Sequence, residues 1–417
     1  MNSKMKFVGN WGRLGMKYNI WEDCPKVPIT ELLSFIVDNR GKTVPTANDG
    51  WKLIATNCVT NNTLFPVYEK VRYLTQETYE TWFRAHPMPG DILFVNKGTP
   101  GRVCMVPDPV DFCIAQDMIA LRADDKKIYN KYLFAVLRSR EIQQQIYNTN
   151  VGDVIPHFKK QFMDQLLIPV PDRKIQEKIG NLYYQLSYKV ELNKKINENL
   201  ERQAQAYFEE LFVVNADPNW PECTLSDIGS IVAGGTPSKS KSEYYADQGI
   251  AWITPKDLSV DKSKFISHGE NDISELGFSK SSTKKMPAGT VLFSSRAPIG
   301  YIAIAQNELT TNQGFKSVIP NENIGTSYVY FLLKNLLPTI EGMASGSTFK
   351  EISGAGMKSV PTVMPDVNII QLFNNFCEPI FKEQEILEAE NRRLSALRDS
   401  LLPKLMSGEI DISSLDI

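Results

Sequence analysis

The chain has 417 residues, 42% of them hydrophobic and 23% charged, with a formal net charge of -2. That length and balance suit an ordinary globular protein of two to three domains. No run of about 18 apolar residues occurs, and no apolar segment follows Met1-Asn-Ser-Lys-Met-Lys, so neither a transmembrane helix nor a secretory signal is expected.

Four segments follow in chain order. Residues 1–170 mix short apolar runs with turn residues. Trp51-Lys-Leu-Ile-Ala and Asp91-Ile-Leu-Phe-Val predict strands, and Asn130 to Ile146 predicts a helix. Residues 171–214 lack Gly and Pro after Gly180. Their apolar positions Ile179, Leu182, Leu186, Ile196 and Leu200 fall on three- and four-residue steps, a heptad seam with polar gaps at Lys189 and Asn193. Residues 215–362 return to the mixed pattern, with a helix predicted over Ser327 to Leu337. Residues 363–407 repeat the long helix, with Phe373, Phe376, Ile380, Leu387, Leu394 and Leu401 on the seam, and residues 408–417 form a tail. Pro379 predicts a kink.

The chain is written twice. Gly90-Asp-Ile-Leu-Phe-Val-Asn-Lys-Gly-Thr-Pro-Gly101 aligns without a gap on Gly289-Thr-Val-Leu-Phe-Ser-Ser-Arg-Ala-Pro-Ile-Gly300, at an offset of 199 residues. Gly152 with Gly346, Pro171-Asp172 with Pro365-Asp366 and Leu200 with Leu394 share an offset of 194. A long-period repeat marks two similar structural units. It suggests one operation performed at two places on one partner. Two long helices with matching seams can pair with each other, and about 36 residues at roughly 1.5 Å each would span about 54 Å.

Negative findings narrow the chemistry. Six cysteines (24, 58, 104, 113, 223 and 377) form no CxxC and read as reduced thiols of a cytoplasmic protein. The three histidines share no metal-ligand spacing, so no metal is expected. No phosphate-binding glycine loop occurs, because Ile36 stands where the first glycine before Gly41-Lys42-Thr43 should be. No catalytic constellation is visible. The near-neutral charge lacks the basic balance of a dedicated nucleic-acid binder, but a whole-chain sum does not register a local basic surface.

The order of reader, long helix, reader, long helix resembles the specificity subunit of type I restriction-modification systems. The motifs that carry this are Ile231-Val-Ala-Gly-Gly-Thr-Pro-Ser, Tyr244-Tyr-Ala-Asp-Gln-Gly-Ile-Ala-Trp-Ile-Thr-Pro-Lys-Asp-Leu258, the Gly289 to Gly300 run, Thr311-Asn-Gln-Gly-Phe315, and the ending Leu397-Arg-Asp-Ser-Leu-Leu-Pro-Lys-Leu-Met-Ser-Gly-Glu-Ile410. The first half diverges more, with Asp38-Asn-Arg-Gly-Lys-Thr-Val-Pro45 where the Gly-Gly-Thr-Pro element stands later. The resemblance implies an α+β fold: two repeated target recognition domains separated by two long antiparallel coiled-coil helices. Each domain reads one half of a bipartite site on double-stranded DNA. The helices set the spacing and dock two modification subunits, and restriction subunits join to cleave. The resemblance further implies that the chain itself binds no cofactor and that S-adenosylmethionine, ATP and Mg are expected in the partner subunits.

Candidate DNA contacts follow from residue type and repetition. Lys97 and Arg296 hold equivalent places after a strand, suited to phosphate or guanine, with Asn96, Ser294 and Ser295 in the same loops. Gln116 and Gln313 align, and amide side chains can read adenine; Asn312 beside the second serves equally as a turn cap. Arg40, Lys42 and Thr43, with Gly235 and Thr236, form loops that can approach a backbone, although tight turns use glycine too. Thr254 and Lys256 are similar. Phe158-Lys159 aligns with Phe349-Lys350 across a short gap, making Lys159, Lys160, Ser347 and Lys350 candidate phosphate clamps or, alternatively, solvated charges. Two other classes compete: an interaction scaffold without DNA, and an enzyme fragment.

Overall fold

The structure is a computed structural model, and it describes residues 18–39, 41, 43–149, 156–346 and 350–411. Arg40, Lys42 and Ser347 fall outside the described residues, as does Gly152. The chain divides into two compact units, Met1–Leu192 with Asn391–Ile417, and Asn193–Glu390. Each contains a body of strands and short helices plus part of both long helices.

In the first unit, Ile92–Val95 lies between Met118–Ala123 and Val103–Met105, with Leu33–Val37 beyond, all antiparallel. Every residue of Ile92–Val95 is buried. Alternate residues therefore serve opposite cores: Ile92 and Phe94 pack with the helices, while Leu93 and Val95 pack with Ile54, Phe112 and Ile114. A second sheet orders Arg72–Leu74, Trp51–Ile54 and Phe112–Ile114. The expected helix over Asn130 to Ile146 is two helices, Asn130–Leu137 and Arg140–Asn148. Arg138 ends the first and Ser139 caps the second, its Oγ accepting from the Ile142 N–H at 3.4 Å.

The second unit is built alike. Val291–Ser295 lies between Lys316–Pro320 and Ile299–Ala305, flanked by Gly229–Ala233 and Phe265–Ile266. A four-stranded sheet places Ile250–Ile253 beside Thr310–Thr311. The expected helix from Ser327 is Thr326–Asn335, followed by Leu337–Met343. Gly90 and Gly289 open equivalent strands at φ +84°, a backbone region that glycine adopts cheaply. Asn130 donates to the Gly90 carbonyl at 2.7 Å and Thr326 to that of Gly289 at 2.8 Å.

The long helices are Arg173–Glu209 and Val367–Met406, and the second continues through Pro379 and Pro403. In the first unit, Ile179, Leu182, Tyr183 and Leu186 face Leu401, Leu402 and Leu405 around Arg398. In the second unit the helices run in opposite directions. Phe208 packs on Phe373, and fifteen residues earlier on the same helix Asn193 donates to Glu390 at 2.7 Å. The expected seam is corrected at Ile196, which is 44% exposed. Phe376 is 39% exposed, yet its ring lies 4.5 Å from that of Tyr207 on the other long helix. Val190, Cys377 and Gln384 are buried on these helices instead, and Gln384 donates to the Asn197 carbonyl at 3.1 Å.

A polar network anchors the second body to its helices. Glu201 receives Lys334 Nζ at 2.6 Å and pairs with Lys264, which is nearly buried and also donates to Gln384. Glu388 accepts the backbone N–H groups of Lys264 and Phe265 at 2.8 and 3.1 Å. Burial raises the Glu201 carboxyl, but the two lysines outweigh it and hold the group below its ordinary value.

Candidate nucleic-acid interface

The strand Ile92–Val95 ends in a junction of three loops. Asn96 N–H donates to Asp117 O at 2.8 Å, Phe158 N–H to Asn96 O at 2.8 Å, and Gly98 N–H to Pro156 O at 3.0 Å. Lys97 and Lys159 are exposed there. Lys160 is exposed and pairs with Asp38 at 3.5 Å. Gln116 sits at φ +51° and donates to Thr43 Oγ1 at 3.4 Å. A non-glycine residue in that region carries backbone strain, and strain of this kind clusters at binding sites.

The second unit repeats two of these three bonds. Ser295 N–H donates to Gly314 O at 2.7 Å, and Ile352 N–H to Ser295 O at 3.1 Å. Lys97 bridges His157 through the backbone as Arg296 bridges Glu351. The register puts Ile352 in the place of Phe158, without a gap, so the match of Phe158-Lys159 with Phe349-Lys350 is corrected. Arg296 Nη1 meets Glu351 at 3.1 Å. Lys316, nearly buried, reaches Glu351 at 3.6 Å and the Ser295 hydroxyl and Gln313 carbonyl at 3.4 Å each. Gln313 and Lys350 are exposed.

Several expected contacts are instead structural. Asn96, Ser294 and Ser295 are fully enclosed. Asn96 donates to Phe158 O at 3.2 Å, and Ser294 donates to Pro298 O at 2.8 Å while accepting from Tyr301 at 2.7 Å. Ser295 donates to Gly314 O at 3.1 Å. These three hold the loops together and present no exposed surface of their own. Asn312 caps its turn, accepting from Gly314 N–H at 2.8 Å. Gly235 is required by close packing, since a Cβ there would lie 2.5 Å from Thr283 N, and Thr236 follows half-buried. Thr254 caps Pro255–Val260 with Asp257, and Pro255 lies against Gly314. Lys256 is exposed on that helix and pairs with Glu270 at 2.5 Å, which raises its pKa.

Four residues escaped the sequence reading. Asn39 is buried two residues past Leu33–Val37, as Gly235 is past Gly229–Ala233. Its amide donates to Ala85 O at 2.9 Å and accepts from Arg84 N–H at 3.0 Å. Arg84 is exposed beside it, with Nη1 on Asp38 O at 3.2 Å. Lys316 and Glu351 are the others; the 194 offset from His157 was the available signal for Glu351. Among the described residues no group of three or more metal-binding side chains occurs, and no helix is long and apolar enough to cross a membrane.

A family profile described as "Type I restriction modification DNA specificity domain" matches residues 26–202 and again residues 218–392. The type I restriction enzyme MjaIX specificity subunit of Methanocaldococcus jannaschii is 37% identical over 43% of this chain and 44% of its own length, so the match spans less than half of that relative. The HindI specificity subunit of Haemophilus influenzae is 24% identical over 77% of this chain and 86% of its own. Among solved structures, the S subunit of a type I restriction-modification system from M. genitalium superposes with a TM-score of 0.57 at 18% identity, covering 91% of this chain and 95% of that one. That likeness shows a shared fold.

Proposed function

This chain belongs to the type I restriction modification DNA specificity family, and we propose that it is the DNA sequence-specificity subunit of a restriction-modification complex, reading a bipartite site with two target recognition domains. One observation carries the reading: the same three-loop junction is bonded alike in both units, with a basic residue, Lys97 or Arg296, at the same place. Lys97, Lys159 and Lys160 in the first junction, and Arg296 and Lys350 in the second, supply cations for phosphate or guanine. Gln116 and Gln313 supply amides for adenine edges. The two long helices form the antiparallel coiled-coil spacer that fixes the gap between half-sites. Their exposed faces dock two modification subunits, and restriction subunits join that assembly.

In this division of labour the chain is non-catalytic, and S-adenosylmethionine, ATP and Mg serve the partner subunits in the cytoplasm. The test is methylation-site mapping in a strain carrying this chain with its neighbouring modification subunit, against the same strain without the chain. A split motif of fixed gap that depends on the chain supports the proposal. No new motif, with the modification subunit active and bound, overturns it.

A further inference from the structure

We infer that Glu351 is a specificity-determining residue of the second reader: its carboxylate sets the pose of Arg296 and Lys316, and so decides how strictly the second half-site is read. The inference rests on the DNA-reading role proposed for the Arg296 loop. A carboxylate on a face that meets phosphates repels the ligand, so its presence there opposes raw affinity. An ordinary exposed ion pair is worth little and holds nothing in place. Glu351 differs in three respects. Its backbone is fixed from two sides, by the bridge to Arg296 and by paired bonds with Ser345 at 2.9 and 3.1 Å. It engages two cations, Arg296 at 3.1 Å and Lys316 at 3.6 Å. Lys316 in turn is nearly buried and ties the carboxylate to the Ser295 hydroxyl and the Gln313 carbonyl. One acidic group thus joins all three strands of the junction, including the loop that carries Gln313.

A guanidinium held on one edge by a carboxylate keeps its other donors in a fixed fork, which is the geometry that guanine reading needs. A misplaced base then leaves Glu351 and Arg296 strained against phosphate without a compensating bond, a penalty that sharpens discrimination. Among the described residues the equivalent place in the first reader holds no carboxylate. His157 stands where Glu351 stands. The effect is therefore confined to one half of the site.

The experiment measures methylation, by the complex containing the full chain, of duplexes carrying single-base changes in either half-site. The variants are Glu351→Gln, Glu351→Asp and Arg296→Ala, each checked for unchanged unfolding temperature. Glu351→Gln is expected to tighten binding at low salt while discrimination at the second half-site falls by about tenfold, with the first half-site unchanged. Glu351→Asp should restore most of it. Equal loss at both half-sites, or none, overturns the role of Glu351. If Arg296→Ala lowers second-site discrimination and Glu351→Gln does not, only this inference fails. If Arg296→Ala also leaves it intact, the DNA-reading role of the loop fails with it.

Discussion

Glu201 shows how one side chain can take its pH dependence from two neighbours. The carboxyl is favoured in its charged form by Lys264 and Lys334, and its folded value lies below the ordinary 4.5. A depressed acid contributes stability that is present above the unfolded value and is lost as pH falls through the folded one. Lys264 is itself lowered, by burial that Glu201 only partly offsets. That shift acts on the alkaline side and leaves the acid window to Glu201. Glu201→Gln should cost about 2–3 kcal/mol at pH 7, below the full value for a buried pair because the carboxylate keeps some exposure. Urea unfolding across pH should show the gap to the parent protein narrowing below about pH 4. A gap that stays constant to pH 3 would mean another group carries the charge coupling. None of this was legible in the sequence. A Glu between Leu200 and Arg202 on a heptad helix reads as solvated, and only the fold brings Lys264 and Lys334 to it.

Gly180 and Asn374 solve one packing problem in opposite ways. Each lies on a long helix where a shorter helix meets it, 194 residues apart. At Gly180 an added Cβ would stand 2.6 Å from Tyr132 N and 2.9 Å from the Lys131 carbonyl carbon, both backbone atoms. At the second site the glycine is on the other partner: Gly325, at φ +77°, makes room for Asn374. Asn374 accepts from Tyr328 N–H at 3.1 Å and donates to Ile324 O at 2.7 Å. Alanine favours a helix by about 1 kcal/mol over glycine, yet Gly180→Ala should destabilise by about 1–3 kcal/mol because backbone cannot turn aside as a side chain can. Thermal unfolding decides the sign, and a raised Tm would show that the helix Asn130–Leu137 shifts freely. The long helices and most of their seam were legible from the heptads, but the breadth of the buried stripe was not. Each helix buries one face on its partner helix and another on its reader, so the buried stripe is wider than two positions per heptad. That is why Val190 and Cys377 are enclosed although they lie off the expected seam.

At the scale of the whole molecule, the duplication was the most legible feature. The 199 offset carries Ile92–Val95 onto the strand Val291–Ser295, and the 194 offset carries Phe158 onto Ile352. The change of offset lies between them, where the intervening segments differ in length. What repetition does not reveal is which polar residues in a matched loop face outward. Asn96 and Ser295 align with each other and both turned inward, whereas Lys97 stayed exposed. The duplication also makes a quantitative prediction. Lys97 and Arg296 lie in different units, and no hydrogen bond or ion pair among the described residues gives them a common partner. Lys97→Ala and Arg296→Ala should each weaken binding of the cognate duplex by about 1–3 kcal/mol, and the double variant should lose the sum of the two to within about 0.5 kcal/mol. A phosphate contact at Lys97 would also lower the salt slope by about one charge. Titration of all three variants on one duplex at two salt concentrations measures both quantities. A double variant that loses clearly less than the sum would mean that both residues serve a single coupled contact, and the picture of two independent readers would have to be abandoned.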